Sequence, residues 1–450
     1  MKKGFMNKTL PKSTSFMEAV KKTGVRVFQD GTATIWDGRE GNYGGQRKPV
    51  GPLVGQKIGL LIAAEFSDYQ AYELLHYVGE FGGTIEWILV DWVVWKNTRP
   101  AVITKGVEGQ WGLHVDPIQT IAFDKGGTYK SMKDADPKDY DVLVVLGNHS
   151  ADIMLSESAV WDFVKTCADS GAIMGAIGEG TMPYIRVGIM NGKKSTGSRV
   201  VKMMLERIGT YIDAPVVVDG KLITAQDTVD TPEFVRELAK MVDPKFADPR
   251  KDSLKGTRAL FIAGEDYEDI EMCVPFLESL YRGAEVTFGT FPPAQRARTG
   301  GIGLDIVMGS VGTTIPIQEV PTSRYKICAL KDIRMLDFDV LVIPGGFGPW
   351  NIVATGNEKF LKEAFSAGKI VATICHGTIA SAAAGILEGK KAAGITQVID
   401  IVPIMGGTYN GDWSAVIEGR IVTGRAPWDI PEFLDAITEA IYRQQGRDIS

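Results

Sequence analysis

The residues best placed to do chemistry lie in one short run, IVATICHGTIASAAAGIL, which carries Cys375 and His376. Cys375 ends an apolar, β-branched stretch that reads as a strand, and a helix of small residues from Thr378 to Leu387 follows at once. That strand–turn–helix arrangement is a nucleophile elbow, which holds a side chain above the edge of a sheet. Gly377 permits the tight turn. The positive end of the helix is expected to draw the thiol toward thiolate, the nucleophilic form. The N–H of His376 can face a developing oxyanion, and Gly346 of the Gly345-Gly346 pair can supply a second donor. A lone cysteine is more often a small core residue. Here a strand end, a helix start and a Gly-Gly loop converge at the carboxyl ends of strands, where ligands of such sheets bind.

An internal repeat supplies the elements that must position this run. KIGLLIAAEFSDYQ from Lys57 matches TRALFIAGEDYEDI from Thr257, and DYDVLVVLGN from Asp139 matches DFDVLVIPGG from Asp337. SGAIMGAIGEGT matches AGKIVATICHGT, GIMNGKK matches GILEGKK, and VVVDGKLIT matches AVIEGRIVT. In both copies a Pro-Glu-Phe follows, at Pro232 and Pro431, and opens a terminal helix. The runs ALFIAG, EVTFGTF, VLVIPGG and IVATIC read as strands buried on both faces, hence a parallel sheet covered by helices. The expected fold is α/β, two tandem doubly wound, mostly parallel sheet sandwiches with an N-terminal extension. The expected boundaries are an arm over 1–50, with a Gly-rich stretch at 38–46, a first domain over 51–245 and a polar linker over 246–256. A second domain over 257–450 completes the chain.

Composition sets the class. The 450 residues exceed one ordinary domain, and 44% apolar with 23% charged residues is the profile of a soluble globular protein. A net charge of −6 argues against nucleic acid as a partner. No apolar run is long enough for a membrane span, and the basic N-terminus lacks the apolar core of a secretion signal. The four cysteines, Cys167, Cys273, Cys328 and Cys375, show no CxxC spacing and form no disulfide framework, which points to a reducing cytoplasm. Cys167 and Cys273 read as packing residues, Cys328 as a strand position.

ICHG after a strand, PGG at the end of the preceding strand and EDYE beside the first strand together resemble the ThiJ/PfpI superfamily, of class I glutamine amidotransferase-like (flavodoxin-like) fold. The resemblance covers roughly 55–245 and 257–445. It implies that Cys375 is the nucleophile, that a glutamate after the first strand, here Glu268, shares a proton with the sulfur, and that His376 is the histidine of the PfpI branch. No cofactor and no metal are expected. Glutaminases of this fold need a further downstream histidine, and none follows His376. In the first copy Gly178 stands at the cysteine position, Glu179 at the histidine position and Asp68 opposite Glu268, so covalent thiol chemistry is lost there. His149 and Glu179 fall short of a metal's usual three or four ligands. In PfpI-type dimers an acidic residue beyond P-G-G reaches the neighbour's histidine. Asp152 holds that position in the first copy and Trp350 in the second. If the repeats pack as an intramolecular pseudo-dimer, Asp152 orients His376; the alternative is that Asp152 caps its helix.

Trp350, Trp413, Trp428 and Arg425 are pocket candidates, and specificity is expected from their loops and the insert from Pro292 to Gly312. The first expectation for function is a glyoxalase III-like conversion of a 2-oxoaldehyde to a 2-hydroxy acid, with an acid–base glutamate moving the proton. The alternatives are a peptidase or amidase-type hydrolase acting on a peptide substrate, and a non-catalytic redox or stress protein whose Cys375 is oxidised. A homo-oligomer is expected in each case.

Overall fold

The computed structural model describes residues 51–92, 107–115, 128–292 and 306–447, together with two short strands at Phe28–Gln29 and Thr32–Ala33. The rest of the expected arm, its Gly-rich stretch included, and the centre of the Pro292–Gly312 insert lie outside the described residues. The two short strands pair antiparallel, and Thr32 pairs with Val416 at the edge of the second sheet.

The first domain is a seven-stranded sheet: β1 (Lys57–Ile62), β2 (Thr84–Leu89), β3 (Thr128–Ser131), β4 (Val142–Val145), β5 (Ile173–Ile177), β6 (Val216–Asp219) and β7 (Leu222–Ala225). Their order is β6-β7-β5-β4-β1-β2-β3, with only the β6–β7 pair antiparallel. The second domain repeats it with β8 (Arg258–Ile262), β9 (Glu285–Thr290), β10 (Lys326–Ala329), β11 (Val340–Ile343), β12 (Ile370–Ile374), β13 (Ala415–Glu418) and β14 (Ile421–Gly424). Its order is β13-β14-β12-β11-β8-β9-β10, again with one antiparallel pair, β13–β14. The central strands β4, β11 and β12 are buried along their whole length, as unbroken Val/Ile runs require. In each sheet the order reverses between the first strand and its neighbour, at β1/β4 and at β8/β11, which opens a crevice at their carboxyl ends.

Five helices carry the domain contact and the site: α1 (Asp68–Glu80), α2 (Thr231–Val242), α3 (Asp269–Tyr281), α4 (Thr378–Ala383) and α5 (Ile430–Gln445). Each Pro-Glu-Phe sits in the first turn of α2 or α5, where proline's missing N–H costs nothing. The copies meet through α1 against α3, flanked by α2 and α5. Every residue of α1 except Gly79 is therefore buried, polar ones included, because one face packs on its own sheet and the other on the second domain.

Those buried charges form an interdomain cluster. Arg236 on α2 reaches Glu278 on α3 at 2.6 Å, Asp248 at 2.7 Å and Glu73 on α1 at 3.4 Å. Arg250 pairs with Asp435 on α5 at 2.6 Å, and Arg282, at the C-cap of α3, pairs with the same carboxylate at 2.9 Å. Burial and the neighbouring Glu278 push Glu73 well above the usual carboxylate range, while the guanidiniums hold Glu278 below it. The segment expected to be a polar linker is thus not a solvated spacer, because Asp248 and Arg250 are consumed inside this cluster.

Candidate active site

Cys375 closes β12 and opens a single 3-10 turn that runs into α4. Its backbone is left-handed, φ 58°, the strained conformation of an elbow residue. Gly178 repeats that angle at 56°, so the first copy keeps the bend and has lost only the thiol. The sulfur's residue is 5% exposed. The His376 N–H bonds the sulfur, and His376 Nδ1 lies 3.5 Å from it. The imidazole stacks on Phe347 at 6.4 Å and 18°, and burial lowers its pKa, keeping the ring neutral at pH 7.

The carboxyl at the sulfur is Glu271, not the expected Glu268. Glu271 lies in the first turn of α3, accepts the Gly345 N–H at 2.7 Å and hydrogen-bonds the Cys375 thiol. Glu268 is the N-cap of α3; its N–H donates to Gly345 O, and its charge reaches the thiol only through space. The physical reason is helical: three residues further on, a side chain lies one turn along and faces the strand ends. Gly345 is required there, since a Cβ on it would sit 2.6 Å from Glu271 Oε2 and 2.8 Å from Cys375 Cβ. Its N–H being engaged by Glu271 and the His376 N–H by the sulfur, the oxyanion donor left at this loop is the Gly346 amide.

The electrostatics also differ from expectation. Burial pushes the Cys375 thiol well above its ordinary range, and the carboxylates of Glu271 and Glu268 push it further; the short α4 does not reverse this. Burial likewise raises Glu271 to about 8. At neutral pH the pair therefore keeps its protons, and loss of one leaves a single proton between sulfur and carboxyl.

The remaining expected site residues make other contacts, and the helix that carries Trp350 packs against the Cys375–Gly377 turn. Asp152 is exposed within the helix His149–Met154, and among the described residues no ion pair joins it to His376. Asp152 lies in the first turn of that helix, whose N-cap is Asn148. Arg425 is committed to Asp429 through two bonds of 2.8 and 3.0 Å and to the carbonyls of Gly411 and Asp412, which fixes the loop bearing Trp413. Asp429 in turn is felt by Glu271. Trp350 is 47% exposed on a surface helix, Trp413 is covered by Lys391, and Trp428 is half-buried ahead of α5. Cys167 donates to Pro137 O in packing, Cys273 is buried in α3, and Cys328 is an exposed residue of β10.

In the first copy the structural counterpart of Glu271 is Gln70, whose Oε1 accepts the Gly147 N–H at 2.8 Å. Asp68 corresponds to Asp269 rather than to Glu268. Both aspartates grip the loop that follows the second strand, through Trp111 and Leu113 N–H in one copy and Val311, Gly312 and Thr313 N–H in the other. Lys57 accordingly matches Arg258, each giving its N–H to an aspartate ahead of the next strand. The sequence register placed Lys57 one residue off, and the acid shifted with it.

Among the described residues no helix is long and apolar enough to cross a membrane. The DJ-1/PfpI family model matches residues 56–241 and 257–440. Protein DJ-1 homolog D of Arabidopsis thaliana is 29% identical over 68% of this chain and 78% of its own length. DJ-1 protein homolog E of the same plant is 24% identical over 86% of this chain and 97% of its own length. Deglycase PYRAB04690 of Pyrococcus abyssi is 28% identical over 38% of this chain and 92% of its own length. Among solved structures, the ThiJ/PfpI domain protein of Brachyspira murdochii aligns at 19% identity and TM-score 0.33, over 42% of this chain and 96% of its own. With the family model matched over both repeats, this chain belongs to the DJ-1/PfpI family as a tandem of two such domains.

Proposed function

We propose that the second domain is a cysteine enzyme of reactive carbonyl compounds, converting a 2-oxoaldehyde to a 2-hydroxy acid in the manner of glyoxalase III. The observation that carries this reading is the Glu271–Cys375 pair, two neighbouring groups whose pKa values are both raised so that one proton can pass between them. Cys375 Sγ attacks the aldehyde carbon, and its proton, passed through Glu271, ends on the carbonyl oxygen. The Glu271 carboxylate then removes the proton from that carbon and returns it to the adjacent one, while the hydroxyl proton crosses to the neighbouring oxygen. The product is a 2-hydroxy thioester, and one water cleaves it to the 2-hydroxy acid and the free thiol. The Gly346 amide and, as the sulfur bonds to carbon, the His376 N–H supply donors to the developing oxyanion.

The peptidase reading is weaker, since the neutral His376 ring has no carboxylate to orient it among the described residues. A deglycase reading is favoured by the names of archaeal relatives, and it would use the same thiol on a glycated amine. Methylglyoxal turnover to lactate, abolished in Cys375→Ala, tests the proposal. Release of amine from a glycated substrate with no aldehyde turnover would replace it by the deglycase reading.

A further inference from the structure

Glu319 belongs to the second domain, yet its carboxylate lies in the first. It follows the loop Gly309–Thr313 and accepts hydrogen bonds from the Ser67 hydroxyl, from Trp111 Nε1 at 2.7 Å, from Asn148 Nδ2 at 2.7 Å and from the Thr228 hydroxyl at 3.0 Å. The donors come from four separate segments: the N-cap of α1, the loop after β2, the end of β4 and the turn ahead of α2. Thr228 also bonds Gln70, so Glu319 is seated beside the thiol-less elbow. The corresponding positions around Cys375 are Glu268, Val311, Gly346 and Pro427, three without a polar side chain and one an acid. Asn148 takes the same left-handed backbone as its counterpart, φ 66° against 71° at Gly346, and adds an amide that glycine lacks. Four neutral donors around one carboxylate make a receptor for an anion without a cation, since hydrogen bonds to a charged acceptor are the strong ones.

The segment bearing Glu319 is tied to the Cys375 site at its other end. Asp269, two residues before Glu271, accepts Val311, Gly312 and Thr313 N–H. Ser310 donates to the carbonyls of Asp266 and Tyr267, in the turn that also holds Gly345 and Phe347. Gly312 rests against Trp111 O, and Gly112 against Val311 O, so the two copies' loops touch back to back.

We propose that the first copy's degenerate site has become a carboxylate socket for Glu319, which makes Glu319 a positioning residue for the segment that flanks Cys375. This takes from the functional reading only that Cys375 is the reactive thiol. In the full chain, Glu319→Ala leaves a vacancy that acetate can fill. Acetate then raises the Tm of the variant saturably and leaves wild type unmoved. Iodoacetamide alkylation of Cys375 becomes severalfold faster in the variant and returns toward the wild-type rate with acetate. Trp111→Phe, which deletes one donor and keeps a ring, shows the same alkylation change in smaller measure and serves if Glu319→Ala does not fold. No acetate effect on the variant beyond that on wild type overturns the socket. Alkylation at the wild-type rate in both variants overturns the positioning role. Alkylation uses no turnover, so either failure is separate from a failure of the glyoxalase reading.

Discussion

Glu271→Gln is the perturbation that separates proton transfer from thiol reactivity. Glutamine keeps the side-chain shape and an oxygen to accept the Gly345 N–H, a 2.7 Å bond in the native site, so the loop should hold. It cannot carry a proton from carbon to carbon. A positioned general acid–base contributes about 10²–10⁴-fold to rate, so kcat should fall by roughly that factor. Because Glu271 is raised to about 8, wild-type kcat/KM should climb with pH along a limb near that value, as the pair with two protons loses one. The variant should lack that limb. Alkylation of Cys375 at pH 9 needs only thiolate, and the lost carboxylate charge no longer opposes it, so it should be at least as fast as in wild type. Stopped-flow turnover across pH 6–10 with parallel iodoacetamide rates decides the matter. If alkylation falls in step with turnover, Glu271 only builds the nucleophile. If turnover drops by less than about tenfold, the shuttle assignment is wrong.

Three further outcomes follow from the same geometry. Gly345→Ala should abolish turnover and disturb Cys375 alkylation, because the new Cβ would collide with Glu271 Oε2 and Cys375 Cβ; wild-type kinetics would refute the close approach. Raising pH should destabilise the protein through Glu271: its folded pKa, about 8, exceeds the unfolded 4.5, so its contribution is full below 4.5 and is lost as pH rises through 8. Tm measured from pH 6 to 9 should therefore fall more steeply for wild type than for Glu271→Gln, and parallel curves would contradict this. Arg236→Ala takes one of two arginine partners from each of buried Glu278 and Asp248, which keep Arg282 and Arg250, and should cost up to about 3–5 kcal/mol in urea unfolding, since removing a partner leaves buried charge less compensated; a loss under about 1 kcal/mol would place the cluster among weak surface pairs.

The fold was legible in the chain because two independent patterns agreed. Val/Ile runs of strand length marked the buried strands, and each recurred about 200 residues later, so 340–343 and 370–374 could be named as strands without a structure. The elbow was legible for a similar reason: a cysteine between a β-branched run and a small-residue helix has few other meanings. Glu271 was not, because GEDYEDIE offers several acids within two turns and only the angle at which α3 leaves β8 selects the one that faces the sulfur. A stricter register for the first strand would have exposed Gln70 opposite Glu271.

The tertiary structure alone decided what depends on groups distant in sequence. The direction of the Cys375 pKa is one case. The sequence shows a helix start, which favours thiolate, whereas burial beside two glutamates is a three-dimensional fact and outweighs it. The fate of the charged linker is another, since Asp248 and Arg250 look solvated in the chain and are buried only because α1, α2, α3 and α5 surround them. Asp152 and Glu319 complete the contrast. The chain suggested an acid reaching from the first domain to the second site, and packing through α1 and α3 instead carries an acid from the second domain into the first. Sequence patterning determines which residues form strands and where the backbone must bend, because those are local properties. Which side chains meet depends on how rigid elements dock, and that is settled by the whole buried surface at once.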